Sequence, residues 1–499
     1  VTSGSITVDN VSGSDSDGIS GMLTLDATKN GSNIVFETVA SVFNSLTAKA
    51  DDGINLSVDL TTDTGDMILE ADNDNSADTA TTGDRIFLSG ARTLSSAGDM
   101  TLDATTTKIS GTSTVDLSAV GDININDDMT SVAAITISAD SDANGTGDFN
   151  LATGAEVNSG GTQISLEAND VSLLGTINAG IANLLLWTSD AGSIGLGTVA
   201  GQGMSISGAE LQNMTASELH LGHADSGSIV VDGITSANSA NIADKVLLQA
   251  TGDNKSVTFN STASSFRTLT VNADDGITIG SDLTTTVGDL ELDADIDNAE
   301  DANDALILAS GITLSTTSAT GNITLDATEG SISSAGGVSI LSLANIDVND
   351  SLTTAGTTII TADSDGLGNG DLTLATSMTI DTQNSAATIT ANDIILDGSL
   401  TTGTGALNLL VADGGTIGLG DADKDYDLSK LELSRITSGT TQIGDVTSGS
   451  ITVDNVSASD SDGISGMLTL DATKNGSNIV FEIVASVFNS LTAKADDGI

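Results

Sequence analysis

The sequence predicts an all-β fold, a right-handed parallel β-helix (solenoid) with about 19–23 residues per coil. Three observations lead there: self-similarity at two lengths, a short strand unit closed by turn residues, and an aliphatic composition without proline.

Self-similarity is the strongest of the three. Residues 1–54 recur as 446–499, with only Gly13 replaced by Ala458 and Thr38 by Ile483. So little drift implies a recent duplication or continual homogenisation, in a parent protein that carries further blocks. Inside this long block lies an older repeat of half its length. Gly4-Ser-Ile-Thr-Val-Asp matches Gly227-Ser-Ile-Val-Val-Asp, and the same shift of 223 carries Gly98 onto Gly321, Asp127 onto Asp350 and Asp190 onto Asp413. Near Glu210 and Glu432 the shift falls to 222. The chain therefore divides into half-block A (1–222), half-block B (223–445, continuous with A) and the start of another A block (446–499).

The smallest unit is a strand written apolar-x-apolar-x-Ala, as in Leu23–Ala27, Leu46–Ala50, Met100–Ala104 and Ile323–Ala327. Period-two alternation over about five residues, closed by Gly, Asp, Asn or Ser, is the signature of a strand followed by a turn. No segment offers a helical stripe with caps. The spacing from Leu23 to Leu46 and from Leu46 to Met67 sets the expected coil length. Stacked coils place Leu, Ile, Val, Met and Ala above one another inside and leave Thr, Asp, Ser and Glu outside. One coil cannot bury its own apolar face, so stability comes from its neighbours. An array of antiparallel sandwiches would instead repeat every ~90–100 residues, with frequent Pro and a core Trp.

The composition agrees. The 499 residues include no Pro, no Cys, 55 Gly, one Trp, one Tyr and eight Phe, and 38% are hydrophobic. Missing Pro fits a chain whose amide N–H groups nearly all enter ladders. Missing Cys excludes disulfides and thiolate metal sites. The aliphatic content excludes a disordered acidic tail. No apolar run approaches the ~20 residues of a membrane helix, so no direct membrane insertion is expected of this segment.

Net charge is −56, from 69 acidic and 13 basic residues. That sign excludes nucleic acid as a partner and disfavours anionic membrane surfaces. At about 4.8 Å per coil, roughly 20 coils would make a rod near 100 Å long. Its linear charge density would then be about one charge per 2 Å, close to the ~1.7 Å of duplex DNA. Divalent cations are the expected partners of such a rod.

Spaced acids suggest where cations could sit. Asp140, Asp142, Asn144 and Asp148 stand at alternate positions around Gly145, and the internal copy supplies Asp363, Asp365, Asn369 and Asp371 around Gly368. Hard oxygen ligands turned by a Gly suit Ca²⁺. An EF-hand also needs Glu at position 12, where Leu151 and Leu374 stand, so these loops are not EF-hands. Weaker versions are Asp72, Asp74 and Asp78 against Asp295, Asp297 and Asp301; a third type is Asp421, Asp423, Asp425 and Asp427. The bland reading is that Asp and Asn populate turns through their own side-chain hydrogen bonds. His220 and His223 are expected on opposite faces in surface roles, and Trp187, after inward Leu186, is expected to face outward. Paired carboxylates could in principle cleave glycans. Here acids are too abundant for their proximity to carry information, so no enzyme is expected.

Gly-led strands such as Ala97–Ala104, Ala319–Ile332 and Thr404–Gly420 resemble the repeat regions of filamentous haemagglutinin-like adhesins and giant repetitive bacterial surface proteins. The likeness is one of pattern and runs through the whole chain. It implies an exported fibrous protein on the surface of a Gram-negative-type cell, a stalk, filament or sheath subunit that self-associates laterally. The alternative is an adhesin module that binds a cell-surface glycan or protein receptor.

Overall fold

The computed structural model describes residues 4–76, 83–299 and 303–499. It is nearly all β, built of long parallel sheets. The chain forms two compact units, Val1–Val230 with Ala237–Gly252 and Val231–Ser236 with Asp253–Ile499.

In the first unit the chain visits three sheets in fixed rotation. Leu23–Ala27 opens a seven-stranded sheet, Ile34–Phe36 belongs to a nine-stranded sheet, Ser41–Phe43 starts a third, and Leu46–Ala50 returns to the first. Every pairing along these sheets is parallel, and the register aligns Leu46, Met67, Met100, Ile123, Phe149 and Val171. All six side chains are buried. Alternation does the rest, because Thr101, Asn124 and Asn150 between them point outward and are only partly covered. The closing alanines Ala27, Ala50, Ala71 and Ala104 are fully buried, where the chain bends towards the next sheet.

The second unit repeats the plan. Leu269, Leu290, Ile323, Ile346, Leu372 and Ile394 align in one parallel sheet. Their positions advance by 21, 33, 23, 26 and 22, the same series that leads from Leu46 to Val171 in the first unit. The expected coil length thus holds for some circuits only. The long ones carry their added length at corners. In the circuits of 33 it falls between Met67–Glu70 and Ile86–Leu88, and between Leu290–Asp293 and Leu306–Leu308. In the circuits of 26 it is the loops Ala139–Asp148 and Ala362–Asp371. A corner loop lengthens the circuit without disturbing the strands on either side. Some corners demand glycine, as at Gly276, whose φ is +94° and where a Cβ would collide with the Asn303 carbonyl oxygen.

Two findings depart from expectation. Among the described residues four single-turn helices occur, Gly13–Ser16, Gly208–Gln212, Lys430–Ser434 and Ala458–Ser461, each entered through Ser with Asp or Glu three positions on. One turn is too short to show a helical stripe, and only this capping-box pattern could have revealed it.

The second finding concerns the half-block. Leu23–Ala27 lies in the seven-stranded sheet, whereas its copy in the next half-block, Val246–Ala250, pairs with Leu219–Leu221 in the third sheet of the same unit. In the second unit Leu269–Ala273 and its copy Leu491–Ala495 likewise occupy different sheets. A half-block is therefore one sheet short of a whole number of circuits.

Burial at the stacked positions sets a testable cost. Ile346, fully buried between Ile323 and Leu372, should lose about 2–5 kcal/mol of stability as Ile346→Ala. Ile359→Ala, at a residue 38% exposed on Thr358–Thr361, should stay within about 0.5 kcal/mol. Urea unfolding of the two variants checks the difference, and equal losses would contradict this placement.

Candidate functional site

The acidic corner loops are where the carboxylates gather, and their geometry is repeated. Asp140 is 1% exposed and adopts a left-handed φ of 55°. Its Oδ1 accepts from the Asn144 amide at 2.9 Å, and its Oδ2 accepts from the Gly145 amide at 2.9 Å and the Ser189 hydroxyl at 2.6 Å. Asp363 has the same φ and accepts from the amides of Leu367 at 3.0 Å and Gly368 at 2.8 Å. Burial raises the Asp363 carboxyl above the ordinary range against the pull of these amides.

The other members of each set point elsewhere. Asp142 accepts from the Asn144 side chain at 3.0 Å, and Asp365 accepts from the Leu367 amide. Asp148 and Asp371 reach to the following circuit, where each accepts from an Asn side chain at 2.9 Å, Asn169 and Asn392 respectively. The Asn369 amide also donates to Asp363. Each candidate ligand thus has a hydrogen-bond task of its own. Among the described residues, no three His, Cys, Asp or Glu side chains are grouped to hold a metal ion.

The weaker sets disperse further. Buried Asp72 accepts from the Thr106 amide and buried Asp295 from the Glu329 amide, while Asp74 and Asp297 cap their own turns. Asp78 and Asp301 lie outside the described residues. Asp421 pairs with Lys430 at 2.8 Å, and Asp425 accepts from Thr416. The repeat landmarks Asp127 and Asp350 have the same kind of task, accepting from the amides of Ala104 and Ala327. Burial raises both carboxyls, with Asp103 and Asp326 beside them adding repulsion.

The histidines correct the expectation of opposite faces. Both reach solvent, because Gly222, with φ +92°, turns the chain between them. His220 lies 2.7 Å from Glu218, whose carboxyl it holds below the ordinary range, and His223 lies 3.2 Å from Asp225. Trp187 does face outward, between buried Leu186 and Thr188, and its ring meets His223 at 5.9 Å between centroids. Sequence spacing could not bring these two together, since they stand on successive circuits.

A further constellation went unread in the sequence. Each half-block doubles one strand: Ile194–Gly197 pairs with Met204–Ile206, and Ile417–Gly420 with Tyr426–Ser429. At these places side chains stitch strands that the ladders leave apart. Asp170 accepts from the Ser205 amide at 2.8 Å and Glu210 from the Leu173 amide at 3.1 Å. In the second unit Asp393 accepts from the Asp427 amide at 2.9 Å and Glu432 from the Leu396 amide at 3.1 Å. Asn213 and Arg435 donate to the carbonyls of Leu173 and Leu396 respectively. Ser207-x-x-Glu210 and Ser429-x-x-Glu432 are the signals that could have found these seams.

No protein-family model, no curated protein and no solved structure matches the chain.

A buried carboxylate that satisfies two loop amides leaves both orphaned when removed. Asp140→Ala should therefore destabilise the first unit by roughly 1–3 kcal/mol. Asp142→Ala, whose exposed partner returns to water, should cost less than about 0.5 kcal/mol. Chemical denaturation of both variants tests the ranking, and a reversed order would remove the turn role of Asp140.

Proposed function

We propose that the chain is part of a right-handed parallel β-helix that serves as a structural rod, stalk or filament subunit of a secreted bacterial surface protein. The observation that carries this reading is the repeated stacking itself. The same sheet rotation and the same series of circuit lengths recur in both units, around stacks of aliphatic side chains. Such a repeat extends by adding circuits, as a spacer requires. What recurs from unit to unit is packing and turn capping, which favours a mechanical role over catalysis.

The acidic surface supplies the second part of the proposal. A net charge of −56 on stacked circuits gathers counterions, so divalent cations stabilise the fold and bridge like-charged neighbours laterally. The turn roles of Asp140 and Asp363 favour a diffuse cation atmosphere over a coordinated Ca²⁺ in those loops. One observation favours the alternative of an adhesin face: Trp187 and His223 form a solvent-facing aromatic pair on adjacent circuits, a surface on which a sugar ring or receptor side chain can stack.

Thermal melts test the cation role. Ca²⁺ and Mg²⁺ at equal concentration should raise the melting temperature equally, and a chelator should reverse both effects. A rise confined to Ca²⁺ would locate binding in the acidic loops, and a melt indifferent to both ions and chelator would end the cation proposal.

A further inference from the structure

We propose that Trp187 and the carboxylates around it form a docking site for a cationic side chain, an arginine or lysine presented by a basic segment of a partner protein. The proposal rests on the reading of this face as adhesive and names its ligand. The indole stands outward on Leu184–Thr188, half-buried between inward Leu186 and Thr188. Gly222, whose amide donates to the Leu186 carbonyl at 2.9 Å, follows the paired strand of the next circuit without a side chain. His223 then meets the indole at 5.9 Å between centroids, with the ring planes inclined at 38°. The His223 side chain is 56% exposed, so the ring pair is open to solvent.

Carboxylates flank this pair on both circuits. Glu167 is the register partner of Trp187 on the preceding strand and points to the same face. Asp225, exposed, lies 3.2 Å from His223. Leu185 is the register partner of His220, whose ring lies 2.7 Å from a Glu218 oxygen that also accepts from the Asn183 side chain at 3.1 Å. Among the described residues, no Lys or Arg forms an ion pair with Glu167, Glu218 or Asp225.

An indole ringed by three acids without a basic partner favours a positive charge on two counts. A cation within about 6 Å of the ring centroid is attracted to the aromatic face, most strongly where the ring is Trp. The carboxylates add a Coulomb attraction that a neutral sugar ring does not gain. A guanidinium suits both, since it stacks flat on an aromatic ring and donates to a carboxylate from its edge.

The second unit shows that these residues come as a set. Where the first unit has Glu167, Trp187, Glu218 and Asp225, the second has Thr390, Leu410, Thr440 and Thr447. His223 is replaced by Asp445. The inward neighbours Leu166, Leu184, Leu186 and Leu221 stay aliphatic and buried, as Ile389, Leu407, Leu409 and Ile443. The same strands therefore stack without the indole and without its acids, so packing demands neither. Acids stand on this face where the indole stands, and threonines replace them where it is lost.

The chain's single tryptophan reports on its own site. The probe is the blocked pentapeptide Gly-Arg-Gly-Arg-Gly, and its matched control carries citrulline, the neutral isostere of arginine. Both are titrated into the full chain at about 0.15 M salt, where exposed charges farther apart than about 8 Å are screened. The arginine peptide should change Trp187 emission saturably, and the citrulline peptide should not. With a fluorescein-labelled arginine peptide and an anisotropy readout, Trp187→Leu, which installs the residue of the equivalent position, should weaken binding about 3- to 30-fold. Glu167→Thr should weaken it about 2- to 5-fold. Asp116→Asn, on an earlier strand of the same sheet, should leave it unchanged. Equal affinity in the unaltered chain and Trp187→Leu, or equal binding of the citrulline peptide, would overturn the proposal. Emission that answers to the tetramer of N-acetylglucosamine and not to the arginine peptide would overturn it while sparing the adhesive face. Emission indifferent to both would overturn it and also withdraw the support that the ring pair gives that face.

Discussion

Everything in this chain depends on the in-register stacking of aliphatic side chains along parallel ladders. Leu46, Met67, Met100, Ile123 and Phe149 each cover the residue one circuit earlier and are covered by the next. A short strand has too little area to hold itself, and a buried Leu or Ile contributes roughly 1.5–3 kcal/mol only while both neighbours are in place. That constraint explains why strand positions vary so little while corners vary freely. A residue added within a strand would send every later side chain to the wrong face, whereas a residue added at a corner extends a loop. Each ladder therefore stays in register through circuits as unequal as those from Leu269 to Leu290 and from Leu290 to Ile323.

The same constraint gives the acidic side chains a structural task. Corners interrupt the ladders and leave amide N–H groups without partners, and a buried amide needs an acceptor. Carboxylates supply it repeatedly. Asp51 accepts from Gly31 at 2.6 Å, Asp274 from Asn254 at 2.8 Å, and Asp140 and Asp72 do the same at their own corners. Charge-assisted bonds of this kind are about twice as strong as neutral ones. A surplus of Asp thus serves the corners first, and the surface charge that draws counterions follows from it.

Much of the architecture was legible because it is periodic. Apolar alternation located strands such as Leu23–Ala27 and Met100–Asp103, and the closing alanines lie at the bends. Circuit length was less legible, since three early strands cannot announce loops that occur later. The single-turn helices escaped because only Ser207 and Glu210, or Ser429 and Glu432, betray them. Direction was least legible of all. Alternate acids suit a cation cage and a self-capped turn equally well, and only the folded chain shows Asp140 turned back onto Asn144 and Gly145. The pairing of Trp187 with His223, and of Asp393 with Asp427, follows from which circuit lies above which.

Cysteine cross-linking tests the stacked register most directly, in a chain that has no cysteine of its own. Thr101 and Asn124 are register partners with outward side chains, and Asn150 follows on the next strand. The account predicts that Thr101→Cys with Asn124→Cys oxidises rapidly to a disulfide, since parallel neighbours lie about 4.8 Å apart, within disulfide reach. Thr101→Cys with Asn150→Cys, two strands apart at about 10 Å, should remain reduced. Cross-linking of the second pair in preference to the first would contradict the stacking on which the fold rests.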